Sequence, residues 1–210
     1  MTCIVGWINE RGTVSMVGDT MTTIHIDNGS YYIDSVGNEK ISKYSIYGTN
    51  VLIGGSGYIS TIENLKNVLL NILSEYENLS LISSSMFQDI IQSRLIKSLS
   101  DYNALDCSLL VTINTTIIRV QISDNKIRCY TVKNSIETIG SGSGLFNTAF
   151  KTYLTNDGYT IEKFKDNYLK GINLFPAIEF ASNVCKKYCI TVSKGNWIGH
   201  SLDLEELIII

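Results

Sequence analysis

The sequence predicts an α+β fold, a four-layer αββα sandwich in which two stacked antiparallel sheets lie between layers of helices. Three observations lead to this fold class. Strand-like segments come first, two helices follow, and strands and then helices come again along the chain. Short turns join neighbouring strands, which is typical of antiparallel hairpins and not of helical crossovers. No linker or repeat interrupts the 210 residues, so residues 2–210 are predicted to form one domain.

The first half of the chain supplies the first hairpins and the first two helices. Residues 2–8 are apolar on both faces, as expected for a strand that is covered on both sides. Two longer segments carry apolar residues at helical spacing. The other strands are expected at 13–19, in a hairpin over 22–34 with Asn28-Gly29 at its turn, and as two short strands over 40–55; the helices are expected at 58–77 and 84–102.

The second half follows the same order of strands and then helices. Its β-branched runs and its turn residues define the strands. Strands are expected at 107–114, 115–123, 126–133 and 135–140, a helix at 143–155 after "GSGSG", one or two helices over 160–188, and strand-like structure over 189–210.

The composition describes a globular chain without a strong field of either sign. The formal net charge is −3 and 44% of the residues are hydrophobic, which argues against nucleic acid as a partner. No stretch reaches the ~18 apolar residues that a membrane span needs, so no membrane partner is expected. An odd number of cysteines, five, and no signal peptide predict a cytoplasmic protein with free thiols.

The cysteine and histidine residues do not form a recognisable ligand set. Cys185 and Cys189 lie four apart in "CKKYC" on a predicted helix, and a metal or redox pair is one interpretation of them. Without a CxxC motif or a nearby histidine, two partly buried free thiols are the favoured one. His25 and His200 offer no Ser-His-Asp triad and no zinc site. No cofactor and no metal are predicted.

The start of the chain carries the first chemical signal. The first strand begins directly after Met1, and a small second residue is the context in which the initiator Met is removed, so we expect Thr2 as the mature N-terminus. Its α-amine would have a pKa of about 7.7–8.0, close to where a general base works best. A threonine hydroxyl needs such a base to become a nucleophile.

Four blocks of the sequence resemble proteasome β-type subunits. They are "TCIVGWINERGTVSMVGD" (2–19), "EKI" (39–41), "LIGGSG" (52–57) and "TIGSGSGLFNTAF" (138–150), and they occur in the family's order over most of the chain. Within this family the sequence is most similar to the leaderless forms, namely the HslV-type peptidase subunit and phage or bacterial proteasome-like proteins. The resemblance implies the fold of the N-terminal nucleophile (Ntn) hydrolases.

The resemblance also implies roles for particular residues. Thr2 is then the nucleophile, and Lys40 corresponds to the family lysine whose ammonium favours the neutral form of the amine. Asp19 corresponds to the aspartate that holds this lysine charged and in place. Ser141, in "GSGSG", matches the serine that hydrogen-bonds the amine of the nucleophile.

The oxyanion donor follows from a residue count in the same resemblance. The family glycine that supplies this backbone N–H lies fourteen residues after the lysine, which is Gly54 in this sequence. Gly55 is the alternative if the register differs by one residue.

The same residues also have purely structural interpretations. A threonine at position two is common, Gly18-Asp19 is an ordinary turn, and Lys40 alone is typical of a solvated strand end. The glycine clusters match neither G-x-G-x-x-G nor the Walker pattern, so turn or packing glycines are the alternative to a phosphate site. The joint order and spacing favour the catalytic interpretation.

One part of the family pattern is missing. The family has an aspartate in an Asp-x-x-Ser-Gly stretch, and the corresponding stretch here is "CITVSKGNW" (189–197). Ser193 and Gly195 remain, but Ile190 stands where the aspartate is expected. The resemblance therefore predicts an incomplete hydrogen-bond network and modest turnover.

These observations predict a threonine-type endopeptidase that self-assembles into rings or stacked rings and cuts unfolded polypeptide, with an ATP-dependent unfoldase as a further expected partner. A source in a bacterial or phage-infected cell is expected. Two alternatives remain. One is a non-catalytic or weakly active assembly subunit, and the other is a small-amide hydrolase of the same superfamily.

Overall fold

The protein is a mixed α/β chain with two five-stranded antiparallel sheets and four α-helices among its described residues. The computed structural model describes residues 2–25, 31–37, 39–99, 106–124, 126–132, 135–159 and 172–210. In this part of the chain, no helix is both long and apolar enough to cross a membrane.

The first sheet contains the N-terminal strand at its interior. β1 (Ile4–Ile8) pairs with β2 (Val14–Gly18) on one side and with β10 (Ile136–Ile139) on the other. β11 (Ile198–Ser201) extends the sheet beyond β2, and β12 (Ile208–Ile209) forms its edge. Strand β1 is almost wholly buried, which fits its apolar residues on both faces.

The second sheet is built entirely from hairpin neighbours. Its strands follow one another in the order β5, β6, β7, β8 and β9. A separate two-stranded ribbon, β3 with β4, connects the two sheets in sequence. The bounds are β3 (Met21–His25), β4 (Tyr31–Val36), β5 (Ile41–Ile46), β6 (Thr49–Gly57), β7 (Cys107–Ile113), β8 (Thr116–Ser123) and β9 (Lys126–Thr131).

Three apolar clusters hold these elements together. One joins the two sheets and includes Ile4 and Met16 from the first sheet and Leu52 and Leu110 from the second. Another packs the first two helices against the second sheet, and the third packs the last two helices against the first sheet. The helices are α1 (Ile59–Ser74), α2 (Ser84–Leu99), α3 (Ser143–Asn156) and α4 (Phe175–Tyr188), with a 3₁₀ turn at Leu79–Leu81.

The structure corrects the sequence-based elements chiefly at the C-terminal end. Only two short strands occur in 189–210, because residues 189–197 run as turns and irregular backbone. Strand β6 is also longer than expected and reaches Gly57, and α1 begins at Ile59, one residue after its predicted start. The predicted turn at Asn28-Gly29, the helical structure over 160–171 and the end of the second helix at 100–102 lie outside the described residues.

Candidate active site

Thr2 is fixed by the loop that precedes α3. Its backbone N–H donates to the Ser141 Oγ at 3.2 Å, and its carbonyl accepts from the Gly142 N–H at 3.1 Å. Gly140, with a φ of +98°, packs so closely on the Thr2 carbonyl that a side chain has no room there. The "GSGSG" segment therefore sets the position of the Thr2 backbone.

Asp19 follows strand β2 and is fully buried beside Thr2. One carboxylate oxygen accepts the Cys3 N–H at 2.8 Å. The other accepts the N–H groups of Met21 at 3.2 Å and of Ser193 at 3.3 Å. These backbone donors compensate much of the desolvation of the carboxylate and fix its orientation.

Lys40 joins Asp19 to the Thr2 side chain. It lies one residue before β5, and its Nζ is 3.0 and 3.1 Å from the two Asp19 oxygens. The same Nζ donates to the Thr2 Oγ1 at 2.6 Å. Burial lowers the pKa of Lys40 from its ordinary value, and the Asp19 carboxylate opposes that shift. Asp19 therefore favours the charged ammonium at the Thr2 hydroxyl.

Of the two glycines predicted as oxyanion donors, Gly55 lines the cavity beside Thr2 and Gly54 is not among its lining residues. The Gly55 N–H is directed at β5, where it donates to the Lys40 carbonyl at 3.4 Å. Because N–H groups alternate along a strand, the Gly54 N–H is directed at β7 on the opposite side. A Cβ on Gly54 would lie 2.6 Å from the Met16 sulfur, so this residue faces the core between the sheets. Both N–H groups are thus directed at neighbouring segments of the sheet, and the oxyanion role of Gly54 or Gly55 stays a prediction.

Gly57, the third glycine of this strand, offers an alternative N–H. It lines the same cavity as Thr2 and Lys40. Because it lies two residues after Gly55, its N–H has the same direction as that of Gly55. Strand β5 begins at Ile41, which pairs with Gly54, so Gly57 lies beyond the end of β5. Its φ of +128° and the close Asp106 carbonyl require glycine. Helix α1 begins at Ile59, which brings the positive end of a helix dipole to this edge.

A cavity of about 290 Å³ opens beside the Thr2 hydroxyl. Its wall is mixed, with apolar side chains from the start of α1 and charged side chains from α1 and from the segment before β5. Lys66 in this wall is paired with Glu63 at 3.0 Å. The lining residues are Thr2, Met21, Thr22, Glu39, Lys40, Gly55, Gly57, Ile59, Ile62, Glu63 and Lys66.

Thr191 is a site residue that the sequence did not reveal. Its Oγ1 lies 3.0 Å from the Ser141 Oγ and 3.1 Å from the Cys189 Sγ. Ile190, at the position expected for the aspartate, is 72% exposed. The only hint in the sequence is that Thr191 follows Ile190, the position where the aspartate was expected. The backbone of 189–197 is irregular, so no periodic pattern predicts which of its side chains point inward.

The cysteines close to Thr2 are free thiols. Cys3 is fully buried, and its hydrogen bond with Cys185 together with burial raises the pKa of the Cys3 thiol well above its ordinary value. A thiol of this kind is a poor nucleophile. Within the described ranges, no group of three or more His, Cys, Asp and Glu side chains is placed to hold a metal ion.

No family model matches this sequence, and no curated protein matches it. Solved structures do match. Eukaryotic HslV from Trypanosoma brucei has a TM-score of 0.62 and 18% identity, over 95% of this chain and 98% of that chain. Anbu from Yersinia bercovieri, described as an ancestral beta-subunit, has a TM-score of 0.61 and 12% identity, over 100% and 87%. The Gly-1 mutant of Anbu from Hyphomicrobium sp. strain MC1 has a TM-score of 0.64 and 11% identity, again over 100% and 87%.

These likenesses extend over nearly all of the chain and most of each matched structure. At such low identities they show the fold and leave the chemistry to the residues themselves. The resemblance to HslV-type subunits, expected from four sequence blocks, is supported at the level of the fold. The chain has the fold of HslV and Anbu.

Proposed function

We propose that this protein is a threonine-type peptidase of the Ntn-hydrolase kind, with Thr2 as its nucleophile. The observation that carries the proposal is the pairing of the Thr2 Oγ1 with the Lys40 Nζ at 2.6 Å, while the Thr2 nitrogen lies 3.2 Å from the Ser141 Oγ. Removal of whatever precedes Thr2 would give this nitrogen the lone pair of an amine. Nucleophile and base would then belong to one residue.

The first step is attack on a peptide carbonyl. The Thr2 Oγ forms a bond to the carbonyl carbon as its proton passes to the Thr2 amine. The ammonium of Lys40 disfavours a second positive charge close by, so that the amine is neutral near neutral pH. The developing oxyanion accepts the Gly57 N–H, and the N-terminal end of α1 stabilises its charge.

The second step breaks the peptide bond. The protonated Thr2 amine gives its proton to the leaving nitrogen, and the C–N bond breaks to leave an ester on Thr2. Water then attacks this ester with the same amine as base, which releases the acid and restores the hydroxyl. Asp19 keeps Lys40 charged and in place throughout, and Ser141 positions the amine.

We further infer that residues 2–210 form one domain with the layers of an αββα sandwich, and that copies of it assemble into rings. Exposed apolar side chains on the first two helices, including Ile59, Met86 and Ile96, support a buried interface between copies. In such a particle the substrate is unfolded polypeptide, and an ATP-dependent unfoldase is the fitting partner. The free thiols of the cysteines fit a cytoplasmic location.

A non-catalytic assembly subunit is the second candidate. The observation that favours it is Ile190, which replaces the expected carboxylate and points to solvent. A small-amide hydrolase shares the proposed chemistry and differs only in the size of its substrate. Comparing peptide amides with small amides as substrates separates the two hydrolases.

The test compares wild-type protein with two single variants. Intact mass first establishes that Thr2 is the N-terminal residue. Thr2→Ala and Lys40→Ala should each lower hydrolysis of peptide-amide substrates by ~10²–10⁴-fold. Lys43→Ala is the matched control, because Lys43 lies three residues after Lys40, on β5, but donates to the carbonyls of Ser201 and Leu204. Equal hydrolysis by wild type and Thr2→Ala would favour the non-catalytic subunit.

A further inference from the structure

A chain of three polar side chains runs away from the Thr2 nitrogen. The Thr2 N–H donates to the Ser141 Oγ at 3.2 Å. Ser141 in turn lies 3.0 Å from the Thr191 Oγ1, and Thr191 lies 3.1 Å from the Cys189 Sγ. This series of hydrogen bonds consists of two hydroxyls and a thiol and includes no carboxylate.

The direction of these hydrogen bonds matters for the proposed chemistry. A serine hydroxyl has one hydrogen to donate and two lone pairs. As a base, the Thr2 amine needs its own lone pair for the Thr2 hydroxyl proton. If Ser141 donated its hydrogen to the amine, that lone pair would be occupied. The base works only when Ser141 accepts from the amine and sends its own hydrogen elsewhere.

We propose that Thr191 is a positioning residue that accepts the Ser141 hydroxyl hydrogen and thereby leaves the lone pair of the Thr2 amine free. This inference rests on the proposed function and adds to it a residue outside the expected site. The Thr191 hydroxyl then donates a hydrogen bond to the Cys189 sulfur, which is a weak acceptor. A neutral hydroxyl thus acts where a carboxylate was expected.

Lys40 and Asp19, the charged groups beside Thr2, come from other segments of the chain and keep their contacts when Thr191 is changed, whereas Cys189 loses one. Lys40 faces Thr2 from the segment before β5, with Asp19 behind it. Cys3 follows in the chain, with Cys185 of α4 against it, and Cys189 faces Thr191. The cavity wall adds Glu39, Glu63 and Lys66. A shift in the amine pKa on substitution of Thr191 therefore reports on Ser141 when it is absent in a Ser141→Ala background.

The experiment measures the pKa of the Thr2 amine directly, in protein whose mass shows Thr2 as the first residue. The rate of acetylation of this amine by acetic anhydride is followed against pH by mass spectrometry, which needs no turnover. Thr191→Val should lower the amine pKa, because the released Ser141 hydrogen now stabilises the neutral amine. Thr191→Ser keeps a hydroxyl and should restore the wild-type value.

Hydrolysis gives the second measurement. Thr191→Val should lower kcat by about 3- to 10-fold, the effect of one neutral hydrogen bond, with KM unchanged. In a Ser141→Ala background the same substitution should change neither kcat nor the amine pKa. A wild-type amine pKa in Thr191→Val, or an equal loss in the Ser141→Ala background, would overturn the proposal. If the wild-type protein hydrolyses nothing, the proposed function fails, and the acetylation experiment still decides the role of Thr191.

Discussion

Asp19→Asn is the substitution for which the structure gives the clearest expected cost. Among the described residues, every group that hydrogen-bonds to the two Asp19 oxygens is a donor. Lys40 contacts both oxygens, Cys3 contacts one, and Met21 and Ser193 contact the other. Whichever oxygen becomes an NH₂ group will therefore meet a donor at hydrogen-bond distance. The variant also removes the Asp19 counter-charge from the Lys40 ammonium, whose side chain is only 11% exposed.

The magnitude follows from the burial of this pair. Removing one partner of a buried ion pair costs about 3–5 kcal/mol, since the other charge stays buried and uncompensated. For a chain of this size each kcal/mol shifts Tm by about 2–4 °C, so the expected loss is about 6–20 °C. Activity should also fall, because loss of Asp19 lowers the pKa of Lys40 further and weakens its effect on the amine.

Thermal unfolding followed by circular dichroism at equal protein concentration measures this loss. Glu75→Gln is the matched control, because it removes a carboxylate from the exposed Glu75–Arg94 pair. Exposed pairs contribute about 0–1 kcal/mol, so the control should melt within a few degrees of the wild type. An Asp19→Asn variant that melts with the control and retains full hydrolysis would refute the reasoning about the buried pair.

Three further predictions concern the rate. The rate should rise with pH as the Thr2 amine loses its proton and fall again as Lys40 loses its proton. The fall should begin below the ordinary lysine pKa, because burial lowers the pKa of Lys40. A plateau that extends beyond pH ~10.4 would contradict this. Gly57→Ala should lower kcat by ~10²-fold or more, since a Cβ would lie 2.6 Å from the Asp106 carbonyl oxygen and displace the oxyanion donor. An unchanged kcat would mean that another N–H binds the oxyanion. Cys3→Ala should retain hydrolysis, because its buried thiol takes no part; a loss as large as that of Thr2→Ala would make Cys3 part of the mechanism.

The closeness of Thr2, Asp19 and Lys40 could be anticipated from the sequence because these residues lie at the ends of strands. Thr2 precedes β1, Asp19 follows β2 and Lys40 precedes β5, so short-range patterns place each of them. A count of fourteen residues from Lys40 is a weaker guide to the oxyanion donor, because a residue count transfers only between hairpins of equal length. Here the β5–β6 hairpin turns at Tyr47-Gly48, both with positive φ, and the strand continues to Gly57.

Thr191 lay beyond sequence reasoning for a different reason. It belongs to an irregular segment between α4 and β11, where neither a period of two nor one of 3.6 predicts which side chains point inward. The preceding Ile190 is apolar and yet exposed, and the polar Thr191 contacts Ser141. In such segments the direction of a side chain depends on tertiary contacts, here those to Asp19 through the Ser193 N–H.

The central claim is that Thr2 carries both the nucleophile and the base. Its most direct test is a peptide epoxyketone, which forms its adduct with the hydroxyl and the free amine of an N-terminal threonine together. After incubation and digestion, mass spectrometry should locate one adduct on Thr2 in the wild-type protein and none in Thr2→Ala. Wild-type protein that has a free Thr2 amine and an intact assembly, and yet forms no adduct, would contradict the claim.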